Sequence, residues 1–149
     1  MYSSKLIQLI EDHAEQITAK IIQQIREDPK LREIGKLPES ELPDRAREIL
    51  KNLGRWLLSE NEEIARHYER LGRLRFEESI PLHEIVRALQ IIKERMIAFA
   101  RNQGIADTAV QIYAEEELEH CIDTFFDHVV YHFVRGYEEA MRRATHLAP

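Results

Sequence analysis

Hydrophobic residues recur every three or four positions along almost the whole chain, which is the spacing of an amphipathic α-helix. No stretch shows the strict alternation of apolar and polar residues that a half-buried β-strand would require. The pattern divides into five helical segments, at about 4–28, from about 43, at about 62–78, at 81–102 and at about 107–145. We therefore predict an all-α fold of about five or six helices, in a single domain over residues 1–149.

Prolines and one glycine mark the boundaries between these segments. The interval 29–43 holds three of the five prolines and is the one loop-like stretch, with room for a short helical turn. Pro81 separates the third segment from the fourth, because a residue before proline disfavours helical backbone. Gly104 is expected to end the fourth helix, since glycine accepts the left-handed conformation common at helix C-termini.

The final segment is long, and its apolar surface is wide. At 1.5 Å per residue it would span about 60 Å, and its apolar pairs cover roughly 200° against the ~100° of a helix buried on one side. Another helix of the same chain, or the same helix of a second chain, must cover the second side. Of the two, we predict a symmetric homodimer, because two-fold dimers are the commonest oligomers. The residues expected at this contact are Phe125, Val129, Phe133, Gly136 and Tyr137, with Gly136 allowing another backbone to come close.

Composition and charge exclude several classes of protein. The 149 residues, 44% hydrophobic and 32% charged, suffice for a core and do not fit a disordered chain. The net charge of −6 disfavours nonspecific nucleic-acid binding. The longest apolar run, Met96–Ala100, is far shorter than the ~20 residues of a membrane helix. The single cysteine, Cys121, fits a reducing compartment, and we expect a cytoplasmic protein with no nucleic-acid partner and no membrane insertion.

Seven histidines prompt the question of a metal or haem site. His128 and His132 lie one turn apart on one helix face, the spacing of two metal ligands on a helix. Cys121 lies about 10 Å further back along the axis and cannot share an ion with both. We therefore predict no bound metal or cofactor. The alternative is a haem- or metal-binding globin-like sensor with His67, His128 or His132 as ligand.

Residue types for catalysis are scarce. The sequence has no glycine-rich nucleophile turn and no phosphate-binding loop. Cys121 lies in the middle of a helix within an apolar pair, where a thiol is usually inert. Trp56 and the phenylalanines are suited to lining a small ligand pocket, but aromatic residues at helical spacing are more often plain core. We predict no catalytic residue, and a protein that is not an enzyme.

Two stretches resemble a known family: residues 70–89, RLGRLRFEESIPLHEIVRAL, and residues 125–140, FFDHVVYHFVRGYEEA. With them, nearly the whole chain resembles the N-terminal domain of RsbRD-type co-antagonists of the switch kinase RsbT. The same kind of domain stands at the front of bacterial sensor histidine kinases. The first stretch is a helix–proline–helix junction, and its marker residues are Arg75, Phe76, Pro81 and Glu84.

The resemblance implies a globin-like sensory domain that dimerises, usually lacks haem and has no catalytic residues. In such proteins the last helix leads toward an output partner of kinase or STAS type. The printed sequence stops at 145–149 without an output domain, so we expect either a protein that acts by pairing with another regulator or an excised sensor module. The function this implies is a non-enzymatic bacterial signalling module in stress-response regulation. It would relay a stimulus through its C-terminal helix.

Overall fold

The computed structural model of the protein describes residues 2–103 and 108–147, which form seven α-helices and no β-strand. The helices are α1 (Tyr2–Asp12), α2 (Ala14–Glu27), α3 (Glu41–Lys51), α4 (Leu53–Leu58), α5 (Asn61–Glu77), α6 (Leu82–Asn102) and α7 (Ala109–Leu147). Two 3₁₀ turns, Pro29–Leu31 and Ile34–Lys36, connect α2 to α3. The prediction of an all-α fold with a long last helix is confirmed. Gly104 and the expected start of that helix at residue 107 lie outside the described residues.

Two of the five predicted helical segments are each broken at one polar residue. The first breaks at His13, whose ring Nδ1 lies 2.8 Å from the carbonyl oxygen of Leu9. The second breaks at Asn52, whose side-chain amide donates to the carbonyl oxygen of Glu48 at 2.9 Å. In both places a side chain competes with the backbone for a helix carbonyl. The apolar stripe continues across each break, which is why periodicity predicted five helices where the described chain has seven.

One continuous core joins all seven helices. Side chains with less than 2% exposure come from six of them: Leu6, Ile10, Ile21, Ile25, Leu50, Leu53, Ile91, Met96, Ile122 and Val129. Helix α5 adds Ile64, Tyr68 and Leu71, each 5% exposed or less. Helix α7 packs most closely against α5 and also contacts α1, α4 and α6. The long helix is therefore embedded in the fold over much of its length.

The described α-helices range from six residues in α4 to 39 in α7. None of them combines the length and the apolar character that crossing a bilayer requires.

Candidate functional site

The sharp turn between α5 and α6 is built on a left-handed residue that is not glycine. Ser79 has φ 62°, and its N–H donates to the carbonyl of Phe76 at 2.9 Å. The N–H of Ile80 donates to the carbonyl of Arg75 at 3.1 Å. These two bonds and the left-handed residue form a Schellman motif, with proline following as is common there. The turn therefore has a defined geometry, at the cost of backbone strain at Ser79.

Arg75 ties this turn to the beginning of α3. Its side chain is 5% exposed, and its guanidinium contacts the carboxylates of Glu78 at 2.6 Å and Glu41 at 2.8 Å. Glu41 also accepts a hydrogen bond from Arg45 at 3.1 Å. The hydrogen bond from Arg75 holds the pKa of Glu41 below its ordinary value of 4.5, against the opposing effect of burial. A buried cation paired in this way fixes the relative position of the two helices.

Glu84 ties the same turn to the segment before α3. Its side chain is buried in the first turn of α6, and its Oε1 accepts hydrogen bonds from the backbone N–H groups of Glu33 at 3.0 Å and Ile34 at 3.2 Å. The carboxylate satisfies two backbone donors and lies where the dipole of α6 favours negative charge. Pro81 immediately precedes the helix as its N-cap residue.

Tyr137 brings α7 to this junction. Its hydroxyl donates a hydrogen bond to the carbonyl of Ile80 at 2.7 Å. Its ring meets that of Phe76 edge to face, with centroids 5.4 Å apart. The residues singled out in the two sequence stretches thus meet around one turn, which joins the end of α5, the start of α6 and the C-terminal half of α7.

One turn away, two glycines let α5 and α7 touch backbone to backbone. A methyl group on Gly136 would overlap the carbonyl of Glu69, and one on Gly72 would overlap the carbonyl of Phe133. Each glycine therefore faces the backbone of the opposite helix. The two helices lie closer here than side chains would allow.

This crossing corrects the prediction for the residues expected at a dimer contact. The backbone that approaches Gly136 belongs to α5 of the same chain. Phe125, Val129 and Phe133 are likewise buried within the chain, at 5% exposure or less. Helices of the same chain thus cover the wide apolar arc of the last helix. This is the other of the two alternatives that sequence periodicity left open. Dimerisation itself stays a prediction.

The histidines proposed as weak metal candidates are not brought into one site. His132 is buried, with Nδ1 3.1 Å from Oε2 of Glu69 and Nε2 3.1 Å from Oδ1 of Asn61, so both ring nitrogens already have partners on α5. His128, one turn earlier, is exposed. In the described part of the chain, no group of three or more His, Cys, Asp or Glu side chains is placed to hold a metal ion. Cys121 is exposed, whereas its neighbour Ile122 is buried.

His67 lies instead in an aromatic cluster. Its ring centroid is 5.3 Å from that of Trp56 and 4.8 Å from that of Tyr68. Burial, followed by the charge of Arg70, lowers the pKa of His67 and favours the neutral imidazole. Phe125 completes the cluster from α7, 5.8 Å from Trp56. Sequence reasoning named Trp56 and Phe125 as core or pocket residues but gave no sign that Tyr68 would join them.

The chain matches a known protein family over most of its length. A family model described as the RsbT co-antagonist protein rsbRD N-terminal domain matches residues 14–147. Neither the curated proteins nor the solved structures gave a match to the chain.

We expect Gly136→Ala and Gly72→Ala each to lower the free energy of unfolding by about 1–3 kcal/mol, because α5 and α7 must separate to admit a methyl group. Gly35→Ala is the matched control: a Cβ there meets nothing within 4 Å, so its effect should lie within about 1 kcal/mol of zero. Urea unfolding followed by circular dichroism measures all three. Equal stability of the three variants would contradict the backbone crossing.

The Arg75–Glu41 pair predicts a specific loss of stability in acid. Because the pKa of Glu41 is lowered on folding, its contribution is complete above the ordinary value of 4.5 and is lost as the pH falls through the lowered value. We expect the wild-type chain to be more stable than Glu41→Gln at neutral pH, and this advantage to shrink progressively below pH 4.5. Urea midpoints of both proteins across that range provide the measurement. An advantage that does not change on acidification would show that the carboxylate charge contributes nothing.

Proposed function

We propose, because the chain belongs to the RsbRD N-terminal domain family, that it is a non-enzymatic sensory and dimerisation module of bacterial stress-response signalling. It acts in the cytoplasm as a homodimer and passes a stimulus to a regulatory partner of kinase or STAS type. Family membership supports the signalling role. The stimulus relay and the homodimer are supported by the arrangement of α7.

The observation that carries the relay is how α7 is held. Its middle is embedded in the core, whereas residues 141–146 are all exposed. Between the two parts, Gly136 touches the backbone of α5 and Tyr137 bonds to the turn before α6. A displacement of α5 or α6 therefore acts on α7 just before its exposed end.

A relay of this kind needs two packing arrangements of similar free energy. A stimulus shifts the population between them only if it binds one arrangement more tightly than the other. In our proposal, the stimulus changes how α5 and α6 pack on α7. The change alters the angle or register of the two paired α7 helices of the homodimer, and the segments beyond Tyr137 present the result to the partner.

The homodimer contact then falls on the outer side of α7. Five large side chains of this helix are exposed: Val110, Ile112, Tyr113, Tyr131 and Met141. Tyr113 is 67% exposed and Tyr131 60% exposed, and they lie 18 residues apart, which is about five whole helical turns. Such an exposed apolar series is typical of a surface that another protein covers, and a two-fold dimer covers it with the same series of a second copy.

Native mass spectrometry of the purified chain, with an absorption scan of the same sample, tests the dimer and the absence of haem together. We expect a mass of twice the 17.6 kDa chain and no visible absorption band. A monomer at micromolar concentration would contradict the dimer. A mass excess with a visible band would instead support the haem-binding alternative.

The relay is tested by the distance between the two exposed helix ends in the homodimer. A nitroxide label at Arg142→Cys, in a Cys121→Ser background, reports that distance by pulsed electron paramagnetic resonance. We expect Tyr137→Phe, which removes the hydrogen bond to Ile80, to shift or broaden the distance distribution. Ser59→Ala is the control, because it also removes one hydroxyl hydrogen bond, to the carbonyl of Arg55 at the end of α4, away from the junction and from the proposed dimer contact. Identical distributions for both variants would refute coupling through the junction.

A further inference from the structure

A cavity of about 60 Å³ lies in the core between α2, α3, α5 and α6. Since one water molecule needs about 10–15 Å³ of such space, the cavity has room for a molecule of on the order of four or five heavy atoms. Its walls are largely aliphatic, and they include Ile21, Ile25, Ile49, Leu71, Ile85 and Leu89. A solute with an apolar body therefore fits the greater part of this surface.

Tyr68 contributes the one fully buried hydroxyl in this lining. The residue is 2% exposed, and its hydroxyl oxygen has no hydrogen-bond partner in the described part of the chain. Burial raises the pKa of this phenol, so the hydroxyl keeps its proton and acts as a donor. Leaving a buried hydroxyl unpaired is costly, and native structures rarely do so without a reason. An acceptor inside the cavity would satisfy it.

The charged groups around the cavity point to a neutral occupant. Arg75 and Arg45 both line it, but Arg75 is already paired with Glu41 and Glu78, and Arg45 is paired with Glu41. His67 and Glu48 also line it and remain partly exposed, which places the opening between α3 and α5. Burial lowers the pKa of His67 and raises that of Glu48, so the environment there disfavours charge on either group. A charged ligand would lose its hydration without gaining a free counter-ion.

We propose that this cavity binds a small neutral organic molecule with one hydrogen-bond acceptor, of the size and polarity of a short-chain ketone. Its acceptor oxygen takes the hydrogen bond of Tyr68, and its alkyl groups contact the isoleucine and leucine walls. The cavity and the unpaired hydroxyl support the presence of a binding site. That this site receives the stimulus of the sensor rests on the proposed function.

The cavity also touches the relay. Phe133 of α7 lines it, and the carbonyl of the same residue faces Gly72 at the backbone crossing. Leu71, the residue before Gly72, is another lining residue. Filling the cavity therefore presses on both helices at the place where they are closest.

Three small probes test the ligand class on the full chain: acetone, acetate and xenon. Acetone and acetate have similar size and shape but differ in charge, and xenon is apolar without an acceptor. The readout is the saturable shift of side-chain signals of Ile49, Ile85 and Phe133 in nuclear magnetic resonance titrations. We expect acetone to bind more tightly than acetate. Tyr68→Phe should weaken acetone binding about fivefold, the worth of one net hydrogen bond, and leave xenon binding unchanged or tighter.

Two further variants provide a cavity-filling test and a control. Ala88→Leu, which fills the cavity from α6, should abolish binding of acetone and xenon while circular dichroism confirms folding. If Ala88→Leu fails to fold, the Tyr68→Phe comparison still decides. Ser59→Ala, which removes a hydroxyl outside the cavity lining, is the control and should leave acetone binding unchanged.

Three results would overturn the proposal. The first is the absence of saturable shifts, which would leave water as the occupant of the cavity. The second is tighter binding of acetate than of acetone, and the third is equal acetone affinity of the wild type and Tyr68→Phe. If acetone binds as expected but leaves the label distances at the helix ends unchanged, the binding site stands and its role as stimulus site fails. The relay is decided separately by Tyr137→Phe.

Discussion

The contact on which the rest of the structure depends is the crossing of α5 and α7 at two glycines. Because Gly72 and Gly136 each face a carbonyl of the opposite helix, the two backbones pack with no side chain between them. This fixes the register of α7. From that register His132 reaches Glu69 and Asn61 on α5, and Tyr137 reaches the carbonyl of Ile80. A slip of one residue along either helix would place a Cβ where there is room only for hydrogen, so a slip in register is excluded, whereas a change in crossing angle is not.

Around this crossing, buried polar groups hold the helix ends in place. Arg75 pairs with carboxylates from α3 and from the turn after α5, and Glu84 accepts two backbone hydrogen bonds from the segment before α3. Buried ion pairs of this type add little net stability compared with apolar residues of the same shape, but removing one partner is severely destabilising. These contacts hold the beginning of α3, the end of α5 and the start of α6 together. In the proposed relay, a change in the packing of these elements reaches α7 through the hydrogen bond of Tyr137.

Much of the helical layout could be predicted from periodicity, but the partners across the core could not. The apolar stripe continues across His13 and Asn52, so nothing in the spacing reveals that the helices break there. The arc of α7 correctly predicted a close backbone approach at Gly136. The arc does not reveal which backbone approaches, and at Gly136 it is that of α5 in the same chain, not that of a second copy. Arg75 and Glu84 were singled out by resemblance, yet Glu41 and Ile34 are 34 and 50 residues away in sequence. A tyrosine at helical spacing is typical of an ordinary core position. The spacing therefore gave no sign that the hydroxyl of Tyr68 would be buried without a partner in a cavity lining.

The same geometry suggests which parts of the relay are rigid and which can move. The glycine crossing acts as a pivot, because separating α5 from α7 would lose the contacts between their backbones. Beside it, Tyr137 is held by a single hydrogen bond to the turn that contains the strained residue Ser79. From Gly136 to Leu147 the helix extends for 11 residues, or about 16 Å. A tilt of about 10° about the pivot would displace the exposed end by about 3 Å over that length. In the proposed relay, a small rearrangement of the core around the cavity would therefore be enough to move the exposed end of α7 by several ångströms.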